Sequence, residues 1–442
     1  MRKLVALAFL LGVPVAAAEP LDEAVAKTLA RAPALRGMLA RKDAALALER
    51  EASWSRLPAL SVRSALTRGD DPVYAFGSLL RQRAFTAQDF AVDRLNWPGY
   101  RTNLQGSLEA GLPLFTAFEL SSARDLARLA AQRAEAGGEG LSQSVRFAAV
   151  EAFLQILLQR ESLRALDERI LSASKELENA DRLRQKGLVL GSDYYAAEGI
   201  LSGLKAWQAQ LSAKLSEAGY RLSVLAGETL TPAGKLSEKP YPLPDTEALL
   251  SRALESRADL KAAALEERSA EVQRRRTDSS LLPRADAFAA IGINSGDLSA
   301  APSDRMVGVR LHMPFGDPAY PAKREGARAL VEASRLDREA LGDSVKSQVL
   351  SARAGYLGAA STLPLAKTTL ERSQKSLELF RPLYREGRQS VLEVLRAEEA
   401  VARSQLQLLE ALYGLHAGYA GVRLAAGTLD DEAVREIRSH LE

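Results

Sequence analysis

Cysteine is absent from this sequence of 442 residues. The chain therefore lacks disulfide bonds, thiolate metal sites and a cysteine at which a lipid could anchor the N-terminus after export. Histidine is scarce, and the three that occur, His312, His416 and His440, lie far apart without the spacing of a metal-binding motif. The sequence accordingly predicts no metal site, no cofactor and no N-terminal lipidation.

Neither sign of charge is in large excess, because the sequence has 59 Lys and Arg residues and 56 Asp and Glu residues. A nearly neutral chain is a poor nucleic-acid binder. Catalytic motifs are lacking too: there is no Gly-x-Ser-x-Gly elbow, and "GGEG" at 137–140 is not followed by the Lys-Ser/Thr of a phosphate loop. The sequence therefore predicts neither a nucleic-acid-binding protein nor an enzyme.

Long apolar runs are also missing. Residues 1–18, "MRKLVALAFLLGVPVAAA", combine a basic start, a short apolar core and a small-residue end, the pattern of a cleavable secretory signal. Elsewhere no run of about 18 uncharged apolar residues occurs, so no transmembrane helix is predicted. We expect an exported protein that would enter a membrane only as strands.

An internal duplication organises the chain. Segments 35–58 and 260–283 match at an offset of 225, and residues further along match at an offset of 200, namely Val145 and Val345, Gly187 and Gly387, Glu198 and Glu398, and Gly227 and Gly427. The predicted organisation is a first repeat at 19–227, a Pro- and Gly-rich linker at 228–247, a second repeat at 248–427 and a C-terminal tail at 428–442.

Apolar residues alternately three and four positions apart dominate both repeats, a pattern typical of coiled-coil helices. The first repeat has them at Leu163, Leu166, Ile170, Ala173, Leu177 and Ala180, with counterparts from Leu363 to Phe380 in the second. We expect breaks or kinks where "AGGEG" occupies 136–140 and at Pro364.

Strict alternation of apolar and polar residues marks the other elements as strands. It covers 103–114 and 306–313, and each run follows another strand-like stretch, so each repeat should contain one β-hairpin; the second hairpin spans 285–313. In the first repeat the hairpin loop is enlarged to residues 69–98, which we expect to face outward, partly folded.

Four strands per chain cannot close a sheet, yet a sheet in lipid must be closed so that every backbone group is paired. Oligomerisation is therefore required if these are membrane strands, and three copies would supply twelve. The alternation would turn Val307 and Val309 toward lipid and Glu109, Arg310 and His312 toward a wet lumen. Such a distribution describes a pore.

The duplicated order of helix, hairpin, long helix, tight turn and helix resembles the TolC family of outer-membrane efflux proteins. The resemblance rests on the turns "KGLVLGSDYYAAE" and "EGRQSVLEVLRAEE" as well as on the export signal. It implies an α+β membrane protein, with a long α-helical coiled-coil barrel plus a transmembrane β-barrel closed only as a homotrimer of twelve strands. It also implies an outer-membrane location with a periplasmic helical extension.

In that family the protein is a passive exit duct of a tripartite efflux or secretion system. The resemblance therefore implies two protein partners, a periplasmic adaptor and an inner-membrane pump, besides outer-membrane lipid. A periplasmic coiled-coil scaffold or adaptor that spans no membrane is the alternative. The alternating strands favour the duct, since a coiled-coil protein would not carry them in duplicate.

The two turns, near 187–193 and 387–393, would be the periplasmic tips of the helical barrel. The resemblance implies adaptor docking at Gly187, Leu188, Val189, Gly387, Gln389 and Ser390, and a periplasmic gate at Ser192, Asp193, Gln389 and Glu393. Arg396 departs from the best-known member of that family, in which a second acidic residue is expected at this position. A structural interpretation remains open beside the gate, because Ser192 and Asp193 could simply cap the helix that follows.

Overall fold

A computed structural model of the protein describes residues 19–297 and 302–441. The predicted export signal, residues 1–18, lies outside the described residues. The described residues form two compact units: those within Met1–Leu39, Glu135–Ala262 and Arg338–Glu442 form a helical unit, and those within Ala40–Ala134 and Ala263–Asp337 form a sheet unit. The units are described separately below.

Helices form most of the described chain. They are α1 Leu21–Arg31, α2 Pro33–Trp54, α3 Pro72–Arg81, α4 Val92–Asn96, α5 Glu119–Gln185, α6 Gly191–Ala226, α7 Thr246–Ser256, α8 Ala258–Asp278, α9 Tyr320–Arg385, α10 Val391–Ala425 and α11 Asp431–Arg438. Several begin at a capping side chain, because the first backbone N–H groups of a helix need an acceptor. Asp71, Asp245 and Asp430 serve this purpose for α3, α7 and α11.

Among the described residues, the sheet unit contains four strands, β1 Ala59–Gly69, β2 Arg101–Phe115, β3 Arg284–Ser295 and β4 Ser303–His312. They lie in the order β1-β2-β3-β4, and each neighbouring pair is antiparallel. The strands lie where the alternating pattern predicts them. The two predicted hairpins are thus joined into one sheet through β2 and β3, at positions far apart in sequence.

The core of the helical unit draws on both repeats. Its fully buried side chains include Phe153 and Leu154 of α5, Leu415 of α10 and Ile437 of α11. The predicted C-terminal tail is therefore part of this core, because α11 turns Ala433, Val434 and Ile437 inward. Burial of such side chains contributes roughly 1.5–3 kcal/mol each to the folded state.

The linker between the repeats is held in this core by Tyr241. Its hydroxyl lies 2.6 Å from Nδ1 of His416, whose Nε2 is 3.1 Å from the carbonyl oxygen of Ser237. A carbonyl can only accept, so Nε2 carries the proton and Nδ1 accepts from the tyrosine. The Tyr241 ring stacks on Tyr419 at 4.0 Å, and burial lowers the pKa of His416 to about 4.

The expected helix breaks are not present. Helix α5 continues through residues 136–140, and α9 contains Pro364. The glycines instead permit close packing: a Cβ at Gly137 would lie 2.7 Å from Cε of Met38, and one at Gly140 would lie 3.2 Å from Cβ of Ala258. The sequence pattern did not reveal these neighbours, which come from α2 and α8.

By length and composition alone, one helix among the described residues contains a window apolar enough to cross a membrane. This helix is α5, and 44% of its 18-residue window is buried inside the protein. A core helix satisfies the same criterion, and α5 carries the buried Phe153 and Leu154. The window is therefore weak support for a membrane helix.

Candidate channel surfaces and helical tips

Each long helical hairpin reverses direction through the same turn. After α5, the N–H of Gly187 donates to the carbonyl of Arg184 at 2.9 Å, and that of Leu188 donates to the carbonyl of Leu183 at 3.0 Å. After α9, Gly387 and Arg388 make the equivalent bonds to Tyr384 and Leu383 at 3.0 and 2.9 Å. This pair of bonds is the Schellman motif, in which the residue after the helix has a positive φ.

Glycine is needed at this position because φ is +76° at Gly187 and +72° at Gly387. The predicted turn glycines are thus placed at the two tips. Around them Leu188 and Gln389 are exposed, whereas Val189 packs against the core of the hairpins. An exposed leucine at a tip is the kind of side chain that a partner protein can bury.

The two tips contact each other within one chain. The Ser390 hydroxyl donates to Oδ2 of Asp193 at 2.6 Å and also accepts from the N–H of Leu392 at 3.1 Å, which caps α10. The structure differs here from the expected capping of α6. Its N-cap is Leu190, which makes no side-chain cap bond, and Ser192 and Asp193 lie inside the first turn. The turn is too short to place either of them before the helix.

Glu393 is paired with Arg396, three residues along the same helix, at 2.7 Å. The arginine that stands where a second acidic residue is expected is therefore the partner of a predicted gate acid. Three other basic residues near the tips have partners of their own: Arg182 pairs with Glu178, Arg184 with Asp181 and Arg388 with Glu386. Spacing three along a helix places residues side by side, which favours the Arg396 contact.

The sheet has one apolar and one polar face. Paired residues share a face, so the register assigns to the apolar face Leu60, Val62, Leu66, Leu108, Ile291, Ile293, Val307, Val309 and Leu311, all exposed. Val307 is 81% exposed and Val62 is 79% exposed. A patch of this kind is a site for contact with lipid or another apolar surface.

The three predicted lumen residues lie on the opposite face. Arg310 of β4 reaches Glu109 of β2 at 3.9 Å, and its guanidinium lies 5.0 Å from the centre of the Phe288 ring. Phe288 in turn covers Gly308, where a Cβ would be 2.9 Å from the ring. His312 is exposed at the end of β4, opposite Arg284. Glu109 and Arg310 thus meet, and His312 stands apart from them.

The enlarged loop is folded onto the polar face. Nε2 of Gln82 donates to Oδ1 of Asn103 at 2.9 Å, and Nδ2 of Asn103 donates to Oδ1 of Asn294 at 3.0 Å. Both asparagines are buried. This amide ladder ties the loop to β2 and β3, and Arg83 adds a bond to the carbonyl of Ser303. The sequence did not predict this amide ladder, although the alternation places Asn103 on the polar face.

Residues 249–428 match the family model of outer membrane efflux proteins. This segment is an outer membrane efflux protein domain. The predicted resemblance to the TolC family of such proteins is confirmed. A comparison of the sequence with curated proteins finds no match.

Similarity in fold to solved structures covers nearly the whole chain. The crystal structure of the channel protein CusC matches with a TM-score of 0.80 at 16% identity, covering 93% of this chain and 92% of that one. A membrane protein from Pseudomonas aeruginosa gives 0.80 at 18%, with 93% and 91% covered. The CmeC outer membrane channel from Campylobacter jejuni gives 0.78 at 15%, with 96% and 90% covered.

These matches confirm the predicted fold class, a mostly helical chain with a four-stranded antiparallel sheet. Residues 249–428 are similar in sequence to outer membrane efflux proteins, and the fold is similar to that of outer membrane channels. The surfaces that such a channel needs, an apolar and a polar sheet face and two helical tips, are present in this chain.

Proposed function

We propose that this protein is the outer-membrane channel of a tripartite efflux or secretion system. It is a homotrimer whose twelve strands form a barrel in the outer membrane and whose helices extend into the periplasm. Substrates pass through it without energy input from the channel itself, because an inner-membrane pump delivers them through a periplasmic adaptor. The efflux protein domain and the channel-like fold support this assignment.

The two-faced sheet with free edges carries the proposal. Its outer strands, β1 and β4, each have only one neighbour in the sheet of the described chain. In a four-stranded antiparallel sheet these two strands run in opposite directions, so β4 of one copy can pair antiparallel with β1 of the next. Repeating that pairing closes a barrel, with Val307 toward lipid and the Glu109–Arg310 pair toward the lumen.

The helical tips are the proposed periplasmic end. Ser192, Asp193, Gln389 and Glu393 form the gate, and Gly187, Leu188, Val189, Gly387 and Ser390 belong to the surface on which the adaptor docks. The bond between Ser390 and Asp193 supports the gate, because it holds the tips of two hairpins together. The exposure of Leu188 supports docking.

Reconstitution tests the proposal directly. Protein extracted from outer membranes with detergent should have the mass of three chains and should produce discrete conductance steps in planar lipid bilayers. The matched control is Val307→Glu with Val309→Glu, which puts charge on the apolar face and should abolish insertion. A detergent-free, soluble monomer with the native circular dichroism spectrum would contradict the barrel.

A further inference from the structure

The duplication repeats one acidic residue in two different environments. Glu398 of α10 and Glu198 of α6 occupy the same position at the offset of 200 that also relates Gly187 to Gly387. Glu398 is 0% exposed, whereas Glu198 is exposed. Glu198 and Glu398 thus occupy the same place in their hairpins but differ in burial.

Glu398 is covered by α5 of the other hairpin and by α9 of its own hairpin. Its Oε1 accepts from the Ser172 hydroxyl at 2.6 Å and from Nη2 of Arg381 at 2.5 Å, and its Oε2 accepts from Nη1 of Arg169 at 3.3 Å. Ser172 and Arg169 belong to α5. The carboxylate therefore fixes α10 of the second hairpin against α5 of the first, and a buried carboxylate needs such partners.

Helix α6 carries a stripe equivalent to the one that α10 buries. On α10 the stripe is Leu395, Glu398 and Ala402, which are 0%, 0% and 1% exposed. The counterparts on α6 are Tyr195, Glu198 and Ser202, and all three are exposed, Tyr195 by 63%. Spacings of three and four place each set on one face of its helix.

The same offset identifies the surface that would cover this stripe. Arg169 and Ser172 of α5 correspond to Thr369 and Arg372 of α9, which are both exposed. Within one chain, α10 covers α5 at these positions. This is how the second hairpin packs on the first. If the first hairpin of another copy packs on the second hairpin in the same way, α6 of one chain covers α9 of the other. An interface between two different surfaces generates a ring when the rotation closes.

We infer that Tyr195, Glu198 and Ser202 form a subunit interface that receives α9 of a second copy of this chain. Glu198 pairs there with Arg372 of the partner subunit, in the manner of the contact that Glu398 makes internally. The inference rests on the homotrimer of the proposed function and deepens it by assigning residues to the contact between copies.

Charge distinguishes the contact between copies from the one within the chain. Inside the chain, two arginines face one carboxylate. Between copies, the counterpart of Arg381 is Asp181, so two carboxylates share one arginine. Asp181 is already held by Arg184 at 2.7 Å. The contact between copies is consequently the weaker of the two and depends more on salt, because its charges are only partly balanced.

Cysteine cross-linking tests the inference in the full chain, which has no native cysteine. We expect Glu198→Cys with Arg372→Cys, treated with a short bismaleimide in outer membranes, to give covalent dimers and trimers on denaturing gels. The matched control is Glu198→Cys with Gln374→Cys, because Gln374 is exposed two residues away and points to another side of α9. The inference would be overturned if only the control pair cross-links, or if neither pair cross-links in trimers that conduct. Either result would leave the proposed channel function unaffected.

Charge exchange provides a second measurement. Glu198→Arg and Arg372→Glu should each lower several-fold the fraction of trimer that survives mild heating in detergent, and the double variant should recover most of it. If the double variant is no better than the worse single variant, the pairing is wrong. If the unsubstituted protein yields no trimer at all, both the inference and the proposed function fail.

Discussion

Asp193 and Ser390 join the tips of the two helical hairpins, with the serine hydroxyl 2.6 Å from the aspartate oxygen. The same serine caps α10 through Leu392, so a single side chain both starts a helix and connects the hairpins. If the proposed gate closes through this bond, it should open when the bond breaks.

We predict that Asp193→Ala increases the open probability of the channel in planar bilayers by roughly tenfold. A hydrogen bond to a charged acceptor is worth about 1.5 kcal/mol or more, which corresponds to that factor. The substitution leaves the Ser390 cap intact, so helix α10 should be unaffected. Lys205→Ala, exposed further along the same helix and outside the proposed gate, is the control and should leave the recordings unchanged.

Divalent cation block is the second expectation for the gate. In the proposed trimer, three copies of Asp193 and of Glu393 surround one axis, and cations added from the periplasmic side should bind there. Asp193→Ala with Glu393→Ala should remove the block. Arg396→Ala should strengthen it, since Arg396 neutralises Glu393 at 2.7 Å. Equal block in the unsubstituted protein, the double variant and Arg396→Ala would rule out an acidic gate.

The buried Glu398 should matter more for stability than Glu399, a half-buried acid of the same helix. Glu398→Ala leaves Arg169 and Arg381 without their partner and should lower the free energy of unfolding by about 3 kcal/mol. Glu399→Ala removes only the i,i+4 contact with Arg403 and should cost at most about 0.5 kcal/mol. Thermal melting of the two variants by circular dichroism compares them, and equal losses would contradict the buried contact.

Acid should destabilise the helical core through His416. Its pKa falls from 6.5 to about 4 on folding, so the unfolded chain binds a proton that the folded chain does not. Stability is therefore complete above pH 6.5 and declines as pH falls toward 4, by on the order of 3 kcal/mol. The groups facing the ring include Tyr241 and His440. Melting temperatures of His416→Asn should vary less over this pH range, whereas those of the exposed His312→Gln should follow the unsubstituted protein.

The side of the membrane on which the enlarged loop lies can be tested with single cysteines. Asn96→Cys, on the exposed surface of α4, should react with a membrane-impermeant maleimide on intact cells. Lys186→Cys, exposed at a helical tip, is the control and should react only after the outer membrane is permeabilised. The reverse pattern would invert the proposed topology.

The sequence by itself determined every feature that depends on local periodicity. Alternation located β2 and β4 and assigned Glu109 and Arg310 to one face, because side chains along a strand point alternately to its two sides. Gly187 and Gly387 marked the tips, since only a left-handed residue ends a helix in that turn. The duplication was likewise visible in the residue spacing.

Only the tertiary structure decided which distant residues meet. Glu198 and Glu398 are the same residue type at matching positions, yet Glu198 is exposed and Glu398 is enclosed by α5 and α9. The expected break at 136–140 failed for the same reason: small residues that weaken an isolated helix also let α2 and α8 approach it. The local sequence pattern shows whether a surface is apolar or charged. Which surface packs against it depends on how helices far apart in the chain pack together.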